Sequence, residues 1–373
     1  MADNKVELIA LGDFMLEHAL GESPFYDIIR KSDMSIANVE APFTDQGHPA
    51  DKTVAMKSPP DTASELARVG LDVAACANNH AMDFGIDGMR QNKQLLTEAG
   101  VHCIGTGNNL EEAMKPVFVE SNGLSIGFLS FSSTLPIGTS AAENRPGMAP
   151  IRVETSYLLD ASICEEQPGT APYVTTKVID AELARAIRVV KETKTQCDAL
   201  CVALHWGVPE GWATPAQGWL ADYQQPLGYA LIDAGADLLI GSHPHVIHGI
   251  EIYKEKPILY CLGNFTSHYF ATGRTVEITR SIGGFKFDPG GFDLSRYVQV
   301  PEHGKAFAAR IHLGKSEIES VEILPYTLDH QGEPQHPSDR DRDSVFNRID
   351  QLSVQFGTKV ERTENGTGII KIR

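Results

Sequence analysis

The stretch "ADLLIGSHPHVIHG", residues 236–249, sets an apolar run directly against three histidines, His243, His245 and His248. Leu238, Leu239 and Ile240 lie between Gly235 and Gly241 and have the length of a buried strand. The preceding "PLGYALIDAG", residues 226–235, has helical spacing and closes on glycine, a helix stop. Helix, buried strand and polar tip together make half of a parallel α/β unit. What gathers imidazoles at the end of a strand is then the question on which the function turns.

The same unit recurs outward in both directions. "KVELIALGD" (5–13), "DMSIANVE" (33–40), "LDVAACANNH" (71–80) and "DALCVALHWG" (198–207) read as apolar strands, and "PVFVES", "LSIGFLSFSS" and "PILYCLGNF" as further ones. "SPFYDIIRKS", "PPDTASELARVG", "GIDGMRQNKQLLTEAG" and "AELARAIRVVKETKTQ" carry helical periodicity, with Pro at a start or Gly just past an end. This alternation predicts an α/β protein with a mostly parallel sheet covered by helices. Residues 134–175 are rich in Pro, Gly and Ser and read as a long loop or insertion, because strand–helix units resume after them. The core is expected over residues 1–325, with 326–373 packed on it as an extension.

With 373 residues, 42% of them hydrophobic and 22% charged, the chain has the composition of a folded globular protein. A net charge of −17 argues against nucleic acid or an anionic membrane as the principal partner. It leaves room for an anionic substrate, since a bound divalent cation reverses the local field. No segment approaches the roughly 18 apolar residues of a membrane span, and the opening residues lack a signal-peptide pattern. The six cysteines are scattered and form no CxxC pair, which fits reduced thiols and a cytoplasmic setting.

The polar residues at the strand ends form a set. Successive apolar strands end in Asp13, in Asn38 and Glu40, in Asn78, Asn79 and His80 with Asp83 close behind, in His205, and in His243 and His245. Each has an ordinary reading alone: an Asx turn for Asp13, a helix cap for Asn79, a half-buried ring for a single His. Together, so many polar groups after buried strands carry a large desolvation cost unless they share a task. In parallel α/β sheets the C-terminal strand tips line one edge, where ligands bind. A mixed oxygen and imidazole set suits one or two divalent ions of the Mn²⁺, Zn²⁺ or Fe type and is too nitrogen-rich for Ca²⁺ or Mg²⁺ alone. The histidines are therefore read as metal ligands.

The stretches "LGDFML", "SIANVEAPFT", "ANNHAMDFGIDG", "LHWGVPE", "ALIDAGADLLIGSHPHVIHGIEIY" and "LYCLGNF" resemble, in order, the motifs of CapA-type poly-γ-glutamate proteins, a branch of the calcineurin-like metallophosphoesterase superfamily. The likeness covers roughly residues 6–265. It implies a four-layer α/β/β/α sandwich of two sheets packed face to face. It implies that Asp13 and His245 bind a first metal, Asn79, His205 and His243 a second, and that Glu40 bridges them. His80 matches the histidine that protonates a leaving group, and Asp83 would orient it. Where superfamily members carry Asp-x-His on the first strand, this chain has Met15. That position would fall to His18, Glu17 or His248, or the first metal would bind more weakly. His248 is also the alternative acid–base group.

All three tryptophans, Trp206, Trp212 and Trp219, fall in "HWGVPEGWATPAQGWLADY" after a candidate ligand. The segment is either a loop held together by its own aromatics or a wall for an organic substrate. Trp206, Glu210, Trp212 and Asn264 are the candidate substrate contacts. The Gly-rich "TRSIGGFKFDPGGFDLSRY", with Arg274, Arg280 and Lys286, would be a second lid. Three functions are compatible with these features. One is a metal-dependent hydrolase of a phosphoester or of an amide or γ-glutamyl bond, with His80 as acid–base group. The second is an epimerase-type proton transfer on a peptide or glutamyl substrate. The third is an accessory protein that binds polyglutamate.

Overall fold

A computed structural model describes residues 5–52, 54–170, 172–207, 220–268 and 304–372. The chain is a mixed α/β protein built on two large sheets. The first has the order β19 (Glu361–Arg362), β20 (Gly368–Lys371), β17 (Ile318–Leu328), β16 (Lys305–Leu313), β1 (Val6–Met15), β2 (Met34–Val39), β3 (Val73–Ala75) and β4 (His102–Ile104). β15 (Asn264–Ser267) also pairs with β1, and β18 (Pro334–Gln335) with β17. The second runs β13 (Ile250–Tyr253), β14 (Lys256–Leu259), β12 (Leu238–Ser242), β11 (Ala199–His205), β7 (Leu124–Ser132) and β6 (Val117–Ser121). β5 (Thr106–Gly107) pairs with β8 (Gly147–Met148), and β9 (Val153–Leu158) with β10 (Tyr173–Val178).

The strands that carry the motifs are parallel, β1 to β4 in the first sheet and β7, β11, β12 and β14 in the second. Their side-chain alternation divides the core. Val6, Leu8 and Ala10 of β1 join Cys201, Ala203, Leu238 and Ile240 of the second sheet in one apolar cluster. Ile9 and Leu11 point the other way, to Phe25, Tyr26 and Ile29 of α1 (Pro24–Lys31) and Leu66 of α2 (Ala63–Arg68). Leu200, Val202 and Leu204 of β11 meet Ala186 and Val190 of α6 (Asp180–Lys194) and Leu227 and Leu231 of α7 (Gln224–Asp233). A period of two buried on both faces yields the near-continuous apolar runs seen in the sequence.

Three features depart from the sequence expectations. The first sheet is only half parallel, because β16, β17 and β20 join it antiparallel. Residues 134–175 hold β8, the β9–β10 hairpin and the short helix α5 (Ala161–Glu166) rather than only a loop. The hairpin escaped notice because it is largely exposed and so has no apolar run, only the β-branched residues of "VETSYL" and "YVTTKV". The boundary at 325 falls inside β17. Beyond it, β20 pairs with β17, and Val345, Phe346 and Ile349 of α8 (Asp339–Ser353) sit in the cluster shared by both sheets. No helix among the described residues is long and apolar enough to cross a membrane.

Candidate metal centre

The tips of the parallel strands bring the polar residues together. Asp13 lies near the end of β1, where Gly12 permits a close backbone approach: a Cβ there would stand 1.8 Å from the Gly263 oxygen. The Asp13 amide instead donates to that oxygen at 3.0 Å. Glu40 follows β2, and Asn78, Asn79 and His80 follow β3. His205 ends β11, and His243 and His245 follow β12 in a tight turn with φ of 103° and 58°. Left-handed backbone is unusual for a residue with a side chain, and such strain clusters where function requires a set geometry.

Two donor groups share Glu40. In one, Glu40, His205 and His243 place a ligand atom each within 4.8 Å of one another, and in the other Asp13, Glu40 and His245 do the same. Asn79 completes the first group, its Oδ1 lying 2.8 Å from His205 Nε2, while His243 Nδ1 is 3.2 Å from the same nitrogen. In the second group, His245 Nδ1 is 3.1 Å from Asp13 Oδ2, and His245 Nε2 is 3.5 Å from Glu40 Oε1. The residues brought together here are ones that the family resemblance implies as ligands.

A metal fits these residues on the evidence of Glu40 itself. Its side chain is fully buried, and neither carboxylate oxygen has a hydrogen-bond partner. An ionised carboxylate buried so completely needs a cation. Burial accordingly raises the Glu40 carboxyl to about 8, with the Asp13 charge adding to the rise. Burial disfavours a charged His245, yet Glu40 and Asp13 outweigh it and hold that ring at about 9. Burial and the neighbouring imidazoles push His243 down to about 3 and His205 well below its usual range. Neutral imidazole is the form that ligates metal, so His205 and His243 are ready to bind, while His245 would release its proton on binding.

The surrounding side chains fix the ligands. Ser242 Oγ lies 2.9 Å from His205 Nδ1 and so leaves Nε2 facing Asn79. Asn38 donates to Asp13 Oδ1 at 2.7 Å, and Asn78 in turn donates to Asn38. Asn264 Oδ1 lies 2.9 Å from His245 Nδ1; the residue is buried and braces a ligand. His80 stands between the ligands and Asp83, with Nδ1 2.6 Å from Asp83 Oδ2 and Nε2 3.9 Å from Glu40 Oε1. Burial lowers its pKa, and Asp83 acts against that shift. Lys52 donates to Asp83 Oδ1 at 2.7 Å and to the Asn79 carbonyl at 2.8 Å. A single lysine in an irregular stretch gives no sequence signal, so only the tertiary structure exposes this contact. Ser242 was legible in principle, as the small polar residue that ends β12 just before the His-Pro-His turn.

Other expected residues lie elsewhere. Trp206 does not form a wall: its indole is fully buried, stacks on Tyr260 at 5.5 Å and donates to the Tyr260 carbonyl. Met15 packs with Ala41 and Met56. His18 stacks on His268 at 3.8 Å and joins neither donor group, nor does Glu17. His248 is buried, its backbone amide bonded to Cys261, and is likewise in neither group. Glu210, Trp212, Trp219, Arg274, Arg280 and Lys286 lie outside the described residues.

Residues 7–269 match the family described as bacterial capsule synthesis protein PGA_cap. The chain is 31% identical over 241 residues to the PGA biosynthesis protein CapA of Bacillus subtilis, covering 64% of this chain and 54% of that one. It is 28% identical to a probable polyglutamine synthesis accessory protein of Mycobacterium tuberculosis, over 88% of this chain and 74% of that one. An uncharacterised protein of Sinorhizobium fredii, y4uA, is 25% identical over 98% of this chain and 93% of its own length. With the family match spanning most of the chain and the donor residues standing on its motifs, this protein belongs to the PGA_cap, or CapA, family within the metallophosphoesterase-like superfamily.

Proposed function

We propose that this protein is a metal-dependent hydrolase in poly-γ-glutamate metabolism, acting on a γ-glutamyl amide or a phosphoester. The observation that carries the reading is the buried Glu40 carboxylate without hydrogen bonds, flanked on each side by imidazole ligands. Asp13, Glu40 and His245 would hold one divalent ion, and Glu40, Asn79, His205 and His243 a second. Bound there, Mn²⁺, Zn²⁺ or Fe would polarise the scissile group and lower the pKa of water. As the imidazolium, with its Nδ1–H held by Asp83, His80 would give its Nε2 proton to the leaving group and return to the neutral ring. Asp83 holds its Nδ1 and so fixes which nitrogen faces the substrate, and Lys52 holds Asp83 in turn. The shared central cluster, with a helix-backed cluster on the outer side of each sheet, supports the α/β/β/α sandwich as the frame.

The mycobacterial relative is named a probable polyglutamine synthesis accessory protein, which favours a second reading, in which the same metal centre grips a glutamyl polymer without cleaving it. Separate incubation of Mn²⁺-, Zn²⁺- and Fe²⁺-loaded protein with γ-linked oligoglutamate and with a chromogenic phosphodiester decides between them. Cleavage of either, lost in Glu40→Gln, is the expected result. Intact substrates in every metal form would overturn hydrolysis, and tight oligoglutamate binding beside them would leave the accessory reading.

A further inference from the structure

A cavity of about 620 Å³ lies between α8 and the loop that carries the metal-site histidines. Its walls include Ile247, two positions after His245, together with Lys305, Arg340, Asp343, Asn347 and Arg348. Positions 340, 344, 347, 348 and 351 recur at three- and four-residue intervals, so one face of α8 forms the wall. Arg348 Nε donates to the Ile247 carbonyl at 2.8 Å, which ties this wall to the metal loop. Lys305 faces it from the start of β16.

The charge is what sets the cavity apart. The chain carries −17, yet here two guanidinium groups and an ammonium gather. Two carboxylates offset part of this charge: Asp343, which also lines the cavity, sits 3.3 Å from Arg362, and Asp341 pairs with Lys305 at 3.6 Å. Among the described residues Arg340 makes no ion pair. Guanidinium forks and side-chain amides on one helix face suit carboxylates presented in succession. The volume falls in the range of ligand sites, about 300–1,000 Å³.

We propose that this cavity is an anion subsite that holds the carboxylates of an extended γ-linked glutamyl chain while another part of the chain reaches the metal centre. The proposal rests on the glutamyl reading of the centre for its ligand. It adds a binding surface outside the strand tips. A local positive field in an acidic protein would also steer an anionic polymer to this face in a salt-dependent way.

The test is the anisotropy of a fluorescent γ-linked oligoglutamate against wild type and the Lys305→Glu/Arg340→Glu double variant. Neither residue belongs to the metal centre, and circular dichroism with bound-metal analysis of both proteins keeps misfolding apart from lost binding. Charge reversal should weaken binding roughly tenfold or more, as expected for lost hydrogen bonds to charged groups, and added salt should weaken the wild type. Unchanged affinity in a folded double variant would overturn the subsite. So would a wild type that fails to bind oligoglutamate, or one that binds a single-stranded oligonucleotide equally well. A wild type that cleaves nothing but loses oligoglutamate on charge reversal would sink the hydrolase reading and keep the subsite.

Discussion

At the residue scale, His80 bears the sharpest test. Its ring is oriented by Asp83 and approaches Glu40, yet it belongs to neither donor group. General acid–base work contributes typically ~10²–10⁴-fold. His80→Asn should lower kcat on that order while bound metal, measured on the same preparation, stays at the wild-type level. A variant that loses its metal would make His80 a ligand. Lys52→Met removes the cation beside Asp83 and keeps every donor side chain. It should reduce kcat less than His80→Asn, with little change in KM; since Lys52 also holds the Asn79 carbonyl, bound metal is measured on the same preparation to separate the two effects. His243→Ala should lose metal from the Asn79 group while the protein stays folded, as elemental analysis and circular dichroism would show. The two groups also differ in donors, since Met15 occupies apolar space where a further ligand is expected and Asn79 enlarges the other set. Titration with Mn²⁺ should therefore give two unequal affinities, the Asp13 group being the weaker.

At the scale of elements, the strand tips work because strands approach each other closely behind them. Gly241 in β12 lies against β14: a Cβ there would stand 2.0 Å from the Tyr260 oxygen and 2.5 Å from Trp206 Nε1. Gly241→Ala should destabilise the protein by about 1–3 kcal/mol, the usual range for overpacking, read by urea unfolding. The same contact explains why Trp206 follows His205: the indole fills the space beside Gly241. The sequence offered two readings of the aromatic cluster, a loop held by its own aromatics or a substrate wall; Trp206 instead packs on Tyr260 under α7, where a ring this large beside a strand tip is buried.

At the scale of the whole molecule, the C-terminal segment belongs to the framework of the site. Ile349 of α8 lies in the cluster that joins the two sheets, and the other face of α8 lines the basic cavity. Ile349→Ala should cost about 2–5 kcal/mol by leaving a cavity in a shared core, with a drop in the thermal midpoint as the readout. Removing residues 326–373 would strip β17 of its partner β20 and open that core, so the truncated chain should lack a cooperative unfolding transition. Metal ought to couple to the same transition: at a free concentration about 100 times Kd, binding only to the folded state adds about 2.7 kcal/mol.

The sequence by itself determined the α/β class and most of the helices and parallel strands, and it singled out the strand-tip residues that the fold gathers. Apolar runs buried on both faces reveal strands, and polar groups stationed at their ends reveal where ligands gather; both signals are local. The tertiary structure decided the rest. Whether the strands form one sheet or two depends on which faces meet, and Leu8 and Ile9 differ in nothing that their neighbours in sequence would disclose. The grouping of Glu40 with histidines from the other sheet, the hold of Lys52 on Asp83, the burial of Trp206 and the contribution of α8 to the shared core all involve residues distant in sequence. Their energies come from desolvation and packing, which exist only once the chain has folded.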